Sequence, residues 1–166
     1  MIRTMPMKKE IAQIISEITD SVREWEPRLR SLSFEILTGK RNKQNRTIKQ
    51  ILGHMADSAT NNTHRIIHLQ YQNSPVNYPD YANLGNNDRW ISIQDYQGED
   101  WDLLVDLWAA TNRHIAHVIS QVDENKLNAT WISALGEEIT LEAMIEDYPR
   151  HFRLHLEEIE TILSSL

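Results

Sequence analysis

The chain has 166 residues, and its 17 lysines and arginines against 24 aspartates and glutamates give a formal net charge of −7. This length fits one domain with a full hydrophobic core, so we expect a single domain over residues 1–166, and the acidic balance argues against binding to nucleic acid or to an anionic membrane. The absence of cysteine excludes a disulfide scaffold, a thiolate zinc site, an iron–sulfur centre and a cysteine nucleophile.

The N-terminal segment MIRTMPMKKE contains no apolar stretch of the kind found in secretory signals, and no apolar run in the chain is long enough to cross a bilayer. We therefore expect a soluble, cytoplasmic protein. A first helix is predicted over residues 7–24, where apolar side chains recur at steps of three and four. Pro6 suits the start of a helix, and Trp25 and Pro27 are expected to end it.

A second helix is predicted from Thr47 to about Leu69, because Thr47 and Gln50 have the spacing of a capping box. Its apolar stripe consists of Ile48, Ile51, Leu52, Met55, Ala59, Ile66 and Leu69. Residues 71–98 then carry prolines, glycines and asparagines without a helical or strand period, which predicts a long loop. Loops of this length are usually functional or disordered, and the aromatic residues here favour packing against the body of the protein.

A third helix is predicted over residues 99–122, since its acidic first turn suits the positive end of a helix dipole. Residues 123–140 form a connector in which Gly136 is the expected turn of a short hairpin, and a last helix is predicted over residues 141–163. No βαβ alternation and no internal repeat is present. We therefore predict an all-α fold, a four-helix bundle with a long crossover loop between the second and third helices.

Two of the seven histidines, His151 and His155, stand four residues apart in the last helix and so lie on adjacent turns of one face. A helical projection places His155 inside the apolar arc and His151 at its edge. Buried imidazoles need partners, which are either a metal ion or a carbonyl or carboxylate group. His54 lies on the shoulder of the second helix's stripe and is a candidate third ligand.

The remaining polar candidates have weaker patterns. His64 and His68 project towards solvent, and His114 and His117 lie at or beyond the margin of the third helix's stripe. Asn112 lies on the inner face, where it lines a pocket or makes an interhelical hydrogen bond. Three neutral imidazoles around zinc, nickel, copper or iron would leave positions for water or substrate, and the ion would lower the pKa of a bound water or thiol.

Several segments resemble the DinB superfamily of YfiT-like metalloenzymes. The segment TIKQILGHMAD over residues 47–57 resembles that family's second-helix motif, and residues 88–90, 101–112 and 140–159 resemble its later segments. The resemblance runs through most of the chain from Thr47 onward. Its most specific part is the ordered spacing of His54, His151 and His155.

The resemblance implies that His54, His151 and His155 bind one divalent metal ion, with zinc and nickel foremost. It implies a bundle in up-down-down-up order, often a homodimer, and a reaction on a small molecule such as thiol S-transfer or hydrolysis, without nucleic acid. Because the chain has no cysteine, a low-molecular-weight thiol would arrive as a cosubstrate. Pro149 departs from the family pattern and predicts a kink two residues before His151.

The residues also leave a second function open. The chain has no phosphate-binding glycine loop, nucleophile elbow or EF-hand loop. A non-catalytic stress-associated or interaction bundle with a structural or idle metal site is therefore the alternative to an enzyme. Asp57, one turn after His54, is the only obvious general base and could equally be a supporting or surface carboxylate. The basic run over residues 40–46 is expected to be a solvated loop rather than a nucleic-acid site.

Overall fold

Helices account for most of the protein in the computed structural model, which describes residues 6–165. In chain order the elements are α1 (Pro6–Arg30), α2 (Phe34–Gly39), α3 (Ile48–Tyr71), β1 (Val76–Asn77), α4 (Asn86–Gln94), α5 (Trp101–Ser120), β2 (Thr130–Ile132), β3 (Glu138–Thr140) and α6 (Leu141–Ser164). The four long helices form the body, in which α1 and α3 each pack against both α5 and α6. The four predicted helices are thus confirmed.

The core lies between these four helices. Each long helix turns one apolar stripe inward, and the completely buried side chains include Ile18, Val22, Ile51, Leu52, Leu104, Trp108, Leu141 and Ile159. Removal of such surface from water contributes about 25 cal/mol per Å² and is the main term that holds the helices together. None of the helices within residues 6–165 is long and apolar enough to cross a membrane.

The first helix is longer than predicted. Trp25 and Pro27 do not end α1, which continues to Arg30. Trp25 and Leu29 extend the buried stripe, and the carbonyl oxygen of Leu29 accepts a hydrogen bond of 2.9 Å from the indole of Trp101. Tertiary packing therefore carries the helix past a proline that lacks one backbone donor. The short helix α2 that follows was also not predicted.

The link between α3 and α5 is partly structured. The prediction of a long loop over residues 71–98 is therefore wrong for two stretches. Residues 76–77 form β1 and residues 86–94 form α4. β1 pairs in parallel with β2, and β2 pairs antiparallel with β3, with Trp131 opposite both Val76 and Ile139. The predicted hairpin is confirmed, but the crossover adds a third strand, because β1 reaches its partner only through the tertiary fold.

Side chains cap the N-terminal ends of the helices that position the candidate site. The capping box at the start of α3 is confirmed, with the Thr47 hydroxyl accepting from the Gln50 backbone and the Gln50 side chain accepting from the Thr47 backbone. Asp100 caps α5 and Thr140 caps α6. α6 continues through Pro149, so the predicted kink does not interrupt the helix before His151.

Two expectations stay predictions: that residues 1–166 form one domain, and that the N-terminal segment is not a secretory signal. Residues 1–5 and 166 lie outside the part of the chain that the structure describes.

Candidate metal centre

Three histidines from two helices meet at one point inside the bundle. The Nε2 atom of His155 lies 3.1 Å from Nε2 of His54 and 3.1 Å from Nε2 of His151. The three ligand atoms all lie within 4.8 Å of one another. Imidazoles bound to one tetrahedral ion at about 2.0–2.1 Å hold their nitrogens about 3.3–3.4 Å apart, so this spacing fits a shared ion.

The cluster is shielded from water. His54 and His155 are only 3% and 4% exposed, and His151 is half-buried. Burial lowers the pKa of His54 to about 2 and that of His151 to about 4, and the adjacent His155 acts in the same direction on both. His54 and His151 are therefore neutral at pH 7, which is the protonation state that binds metals.

The tautomer of His54 is set by Tyr81. The phenolic hydroxyl of Tyr81 donates to the carbonyl oxygen of His54 at 3.1 Å and also lies within hydrogen-bond distance of Nδ1 of the same residue. A hydroxyl that donates its one proton to a carbonyl accepts from a second group. When the hydroxyl donates to the carbonyl oxygen, Nδ1 of His54 carries the imidazole proton and the lone pair of Nε2 faces the other histidines, which is the tautomer that binds a metal ion.

Glu158 sets the tautomer of His155. Its carboxylate oxygen lies 2.9 Å from Nδ1 of His155 and accepts a second hydrogen bond from Asn42. Burial opposes ionisation of Glu158, yet the bonds from His155 and Asn42 and the nearby Arg46 hold its pKa below its ordinary value. An ionised carboxylate only accepts, so the Nδ1 atom of His155 carries a proton. A carboxylate behind a histidine is the usual support of a metal ligand.

A cavity of about 510 Å³ opens beside the three histidines. We call it the histidine cavity; its walls include Arg46, Arg65, Tyr81, Trp131 and Tyr148 as well as the histidines. Ala82 and Asn87 also line it, so the crossover segment over residues 71–98 shapes the cavity. This volume suits a small molecule.

Asp57 is buried but does not line the histidine cavity. Its Oδ1 accepts hydrogen bonds of 2.6 Å from Tyr96 and 2.9 Å from Gln94, and burial raises its pKa to about 6. Tyr96 can reach Asp57 because Gly53 has no side chain: a Cβ at this position would lie only 2.2 Å from the ring of Tyr96. The candidate general base is therefore a supporting carboxylate that ties the crossover to α3, and it is not on the surface.

The other polar candidates lie away from the cluster. His64, His114 and His117 are exposed, and His68 is half-buried, with its Nδ1 within 2.7 Å of the hydroxyl of Tyr71. The exposed positions of His64, His114 and His117 agree with the projections, whereas His68 is more buried than its projection towards solvent predicts. For Asn112 the structure favours the interhelical hydrogen bond, because its Oδ1 accepts from the Tyr148 hydroxyl at 2.7 Å.

Sequence reasoning missed four residues around the cluster. Arg46 belongs to the run that was expected to be solvated, but it is buried and pairs with Asp88 at 2.7 Å. Arg65 follows His54 by eleven residues, close to three helical turns, and Glu158 follows His155 by three, so helical projection could have found both. No periodic signal marks Tyr81, which lies in the crossover.

The chain matches the DinB superfamily over residues 10–159. No curated protein matches it. Among solved structures, it is similar to YfiT from Bacillus subtilis, a probable metal-dependent hydrolase with an unusual four-helix bundle topology, at 18% identity and a TM-score of 0.78, over 98% of this chain and 88% of YfiT.

It is also similar to a mycothiol-dependent maleylpyruvate isomerase, at 11% identity and a TM-score of 0.72, over 90% of this chain and 60% of the isomerase. This chain thus spans less than two thirds of that enzyme. At these identities the two structures show a shared fold. The match over residues 10–159 shows more than the fold: the chain belongs to the DinB superfamily.

Proposed function

We propose that the protein is a metal-dependent enzyme that acts on a small molecule in the histidine cavity, with His54, His151 and His155 as the ligands of one divalent ion. The observation that carries the proposal is the orientation of the imidazoles. The Nδ1 atoms of His54 and His155 are engaged by Tyr81 and Glu158, while their Nε2 atoms face each other at 3.1 Å. Two lone pairs at this distance repel each other unless a cation or a proton lies between them.

The donor set agrees with zinc or nickel, since both bind neutral imidazole nitrogen. When bound, such an ion lowers the pKa of a water or a thiol at its open position. The chain's own residues would hold the site in shape: Tyr81 and Glu158 orient two of the imidazoles, and the crossover closes one side of the cavity. Three protein ligands with an open position are typical of a catalytic zinc site.

Within this proposal we place thiol S-transfer before hydrolysis. The cavity carboxylates have other partners: Glu158 bonds His155 and Asn42, and Asp147 pairs with Arg150. A hydrolase usually also needs a general base, whereas a thiol with a pKa of about 8.5 ionises readily beside a metal ion. The isomerase that shares the fold depends on mycothiol, and YfiT, a probable hydrolase, supports the second class.

The proposal includes a homodimer of bundles in up-down-down-up order, because the DinB resemblance implies both. Sedimentation velocity of the purified protein tests the dimer, since a monomer would give a molecular mass of 19.4 kDa. The cytoplasmic location stays a prediction.

Metal analysis tests the site. Protein purified without a histidine tag should contain about one zinc or nickel ion per chain by plasma mass spectrometry. His54→Ala, His151→Ala and His155→Ala should each lose the ion. His64→Ala is the matched control, because His64 is exposed on the same helix as His54, and it should keep the ion.

The alternative, a non-catalytic bundle, makes different predictions. If its histidines are structural, the protein would fold without metal and would be unchanged by added zinc or nickel. If its metal site is idle, the protein would bind the ion without catalysing a reaction. If His155→Ala retains the ion, the ligand assignment is wrong.

The reaction class is tested on the metal-loaded protein with two probes. Transfer of cysteine to 1-chloro-2,4-dinitrobenzene reports S-transfer, and release of 4-nitrophenol from 4-nitrophenyl acetate reports hydrolysis. We expect the first reaction to exceed its uncatalysed rate and to depend on His155. Activity with the ester alone would make the protein a hydrolase.

A further inference from the structure

Arg65 places a buried positive charge in the wall of the histidine cavity. Arg65 extends from α3 and lines the cavity, yet only 6% of the residue is exposed to solvent. Its guanidinium lies 3.7 Å from the ring centroid of Trp131, which lines the same cavity. The charge is thus buried in the cavity wall against an aromatic ring.

Arg65 forms no ion pair within residues 6–165. No carboxylate of that part of the chain lies within 4.0 Å of the Arg65 side chain. Within residues 6–165 its side chain donates one long hydrogen bond, of 3.4 Å from Nη1 to the side-chain oxygen of Asn62, and its Nε has no partner there. Burial lowers the pKa of Arg65 to about 10, while the more distant Asp80 acts in the opposite direction. Buried charges in proteins are ordinarily paired.

The other charged groups of the cavity already have partners. Arg46 pairs with Asp88 at 2.7 Å. Glu158 accepts from His155 and Asn42, and the outer carboxylate, Asp147, pairs with Arg150 at 2.5 Å. Among the described lining residues Arg65 is therefore the cation that lacks an anion, and a single negative charge would match it.

We propose that the histidine cavity binds a small molecule that carries a carboxylate, and that Arg65 binds this carboxylate while Trp131 contacts the guanidinium from the other side. The inference rests on the proposed function in that the same cavity would serve both. A guanidinium binds a planar carboxylate through two parallel N–H donors, which fixes the orientation of the ligand as well as its charge. Met144 and Leu154 provide apolar surface in the same cavity for the remainder of such a molecule.

Benzoate and benzamide test the proposal, because they have the same shape and differ in charge. Both are titrated into the purified full-length protein at its natural metal content and followed by ¹H–¹⁵N NMR, including the Nε–H resonance of Arg65. We expect benzoate to shift this resonance with a Kd of a few mM and benzamide to bind at least about tenfold more weakly. Arg65→Gln should weaken benzoate binding by about tenfold or more.

Two control variants separate this site from other sources of anion binding. Arg23→Gln removes an exposed arginine on α1 and should leave benzoate affinity unchanged. His64→Ala removes an exposed histidine of α3 and should also leave benzoate affinity unchanged. His155→Ala is used to measure metal content alone. Failure of metal binding and failure of carboxylate binding are thus read from different variants.

The proposal is overturned if folded wild-type protein does not bind benzoate at about 20 mM, if benzamide binds equally well, or if Arg65→Gln retains wild-type affinity. It is also overturned if benzoate shifts the imidazole resonances of the three histidines and leaves the Arg65 resonance unchanged, since the anion would then bind at the histidines. Should Arg65→Gln not fold, Arg65→Lys replaces it. The shift of the Arg65 resonance in wild type then decides, because only a ligand at Arg65 moves that resonance with benzoate and not with benzamide.

Discussion

The Nδ1 atom of His155 lies 2.9 Å from the carboxylate oxygen Oε2 of Glu158, one helical turn further along α6. This contact keeps the imidazole proton on Nδ1 and turns Nε2 towards His54 and His151. Because both residues belong to one helix, the support of this ligand is local. The support of His54 comes from the crossover, through Tyr81.

Glu158→Gln should weaken zinc binding by about tenfold, because loss of the carboxylate charge lowers the basicity of His155 while the amide oxygen still accepts from Nδ1. Zinc affinity is measured by competition with a colorimetric chelator. Glu157→Gln is the control, since Glu157 is the exposed neighbour on the same helix. Equal affinities for the two variants and wild type would contradict a role for Glu158.

Tyr81→Phe should reduce both metal affinity and stability. The substitution removes the hydroxyl that contacts Nδ1 and the carbonyl oxygen of His54, and the loss of such buried hydrogen bonds costs about 1–3 kcal/mol. Urea denaturation and chelator competition measure the two effects. Tyr71→Phe removes an exposed hydroxyl that also contacts a histidine, His68, and it should change neither quantity.

The pH dependence of zinc binding should be shallow. Protons compete with a metal for imidazole, so affinity falls as pH falls. Burial lowers the pKa of His54 to about 2 and that of His151 to about 4, so neither takes up a proton above about pH 5. Between about pH 5 and pH 6 the logarithm of the apparent affinity should therefore fall by no more than about one unit per pH unit.

Chelator competition at several pH values measures this slope. Three ordinary imidazoles would each add a proton in the same range and give a slope that approaches about three. A slope above about two would show that the histidines are not shielded as the structure indicates.

Asp57→Asn should gain stability relative to wild type as pH rises. Burial raises the pKa of Asp57 from 3.8 to about 6, so the folded state holds this proton to a higher pH than the unfolded chain does. The stability that the neutral carboxyl contributes is present below about pH 3.8 and is lost as pH rises through about 6. The asparagine does not titrate, and its oxygen can still accept from Tyr96.

Urea denaturation at pH 4 and pH 8 should show a relative gain for Asp57→Asn of about 2 kcal/mol at the higher pH. Asp102→Asn, at a carboxylate whose side chain is 74% exposed, is the control. A relative stability of Asp57→Asn that does not change with pH would contradict the burial of the carboxylate.

Gly53→Ala should destabilise the protein by about 1–3 kcal/mol, because the added Cβ would overlap the ring of Tyr96 and force either the ring or α3 to move. The nearest ring atom would lie 2.2 Å from that Cβ. Gly39→Ala is the control, since nothing lies within 4 Å of its Cβ position. Equal urea midpoints for Gly53→Ala and wild type would show that Tyr96 is free to move aside.

The local parts of this protein follow from the sequence by itself. The pairing of His151 with His155 on one face, the capping box of Thr47 and Gln50, and the apolar stripes of the four long helices all depend on spacing within one helix, and helical periodicity makes that spacing readable. The exposed positions of His64, His114 and His117 were predicted for the same reason.

Contacts between segments were decided only by the tertiary structure. His54 was a candidate from its stripe, and its meeting with the α6 pair depends on how α3 packs against α6. Tyr81 and Arg46 come from irregular segments, where no period tells which side chain turns inward. The burial of Asp57 beneath Tyr96 and the continuation of α1 past Pro27 also depend on partners distant in sequence. Local conformational preferences are weak, and packing between distant segments can override them. Such features therefore cannot be predicted from local sequence and are set only when the chain folds.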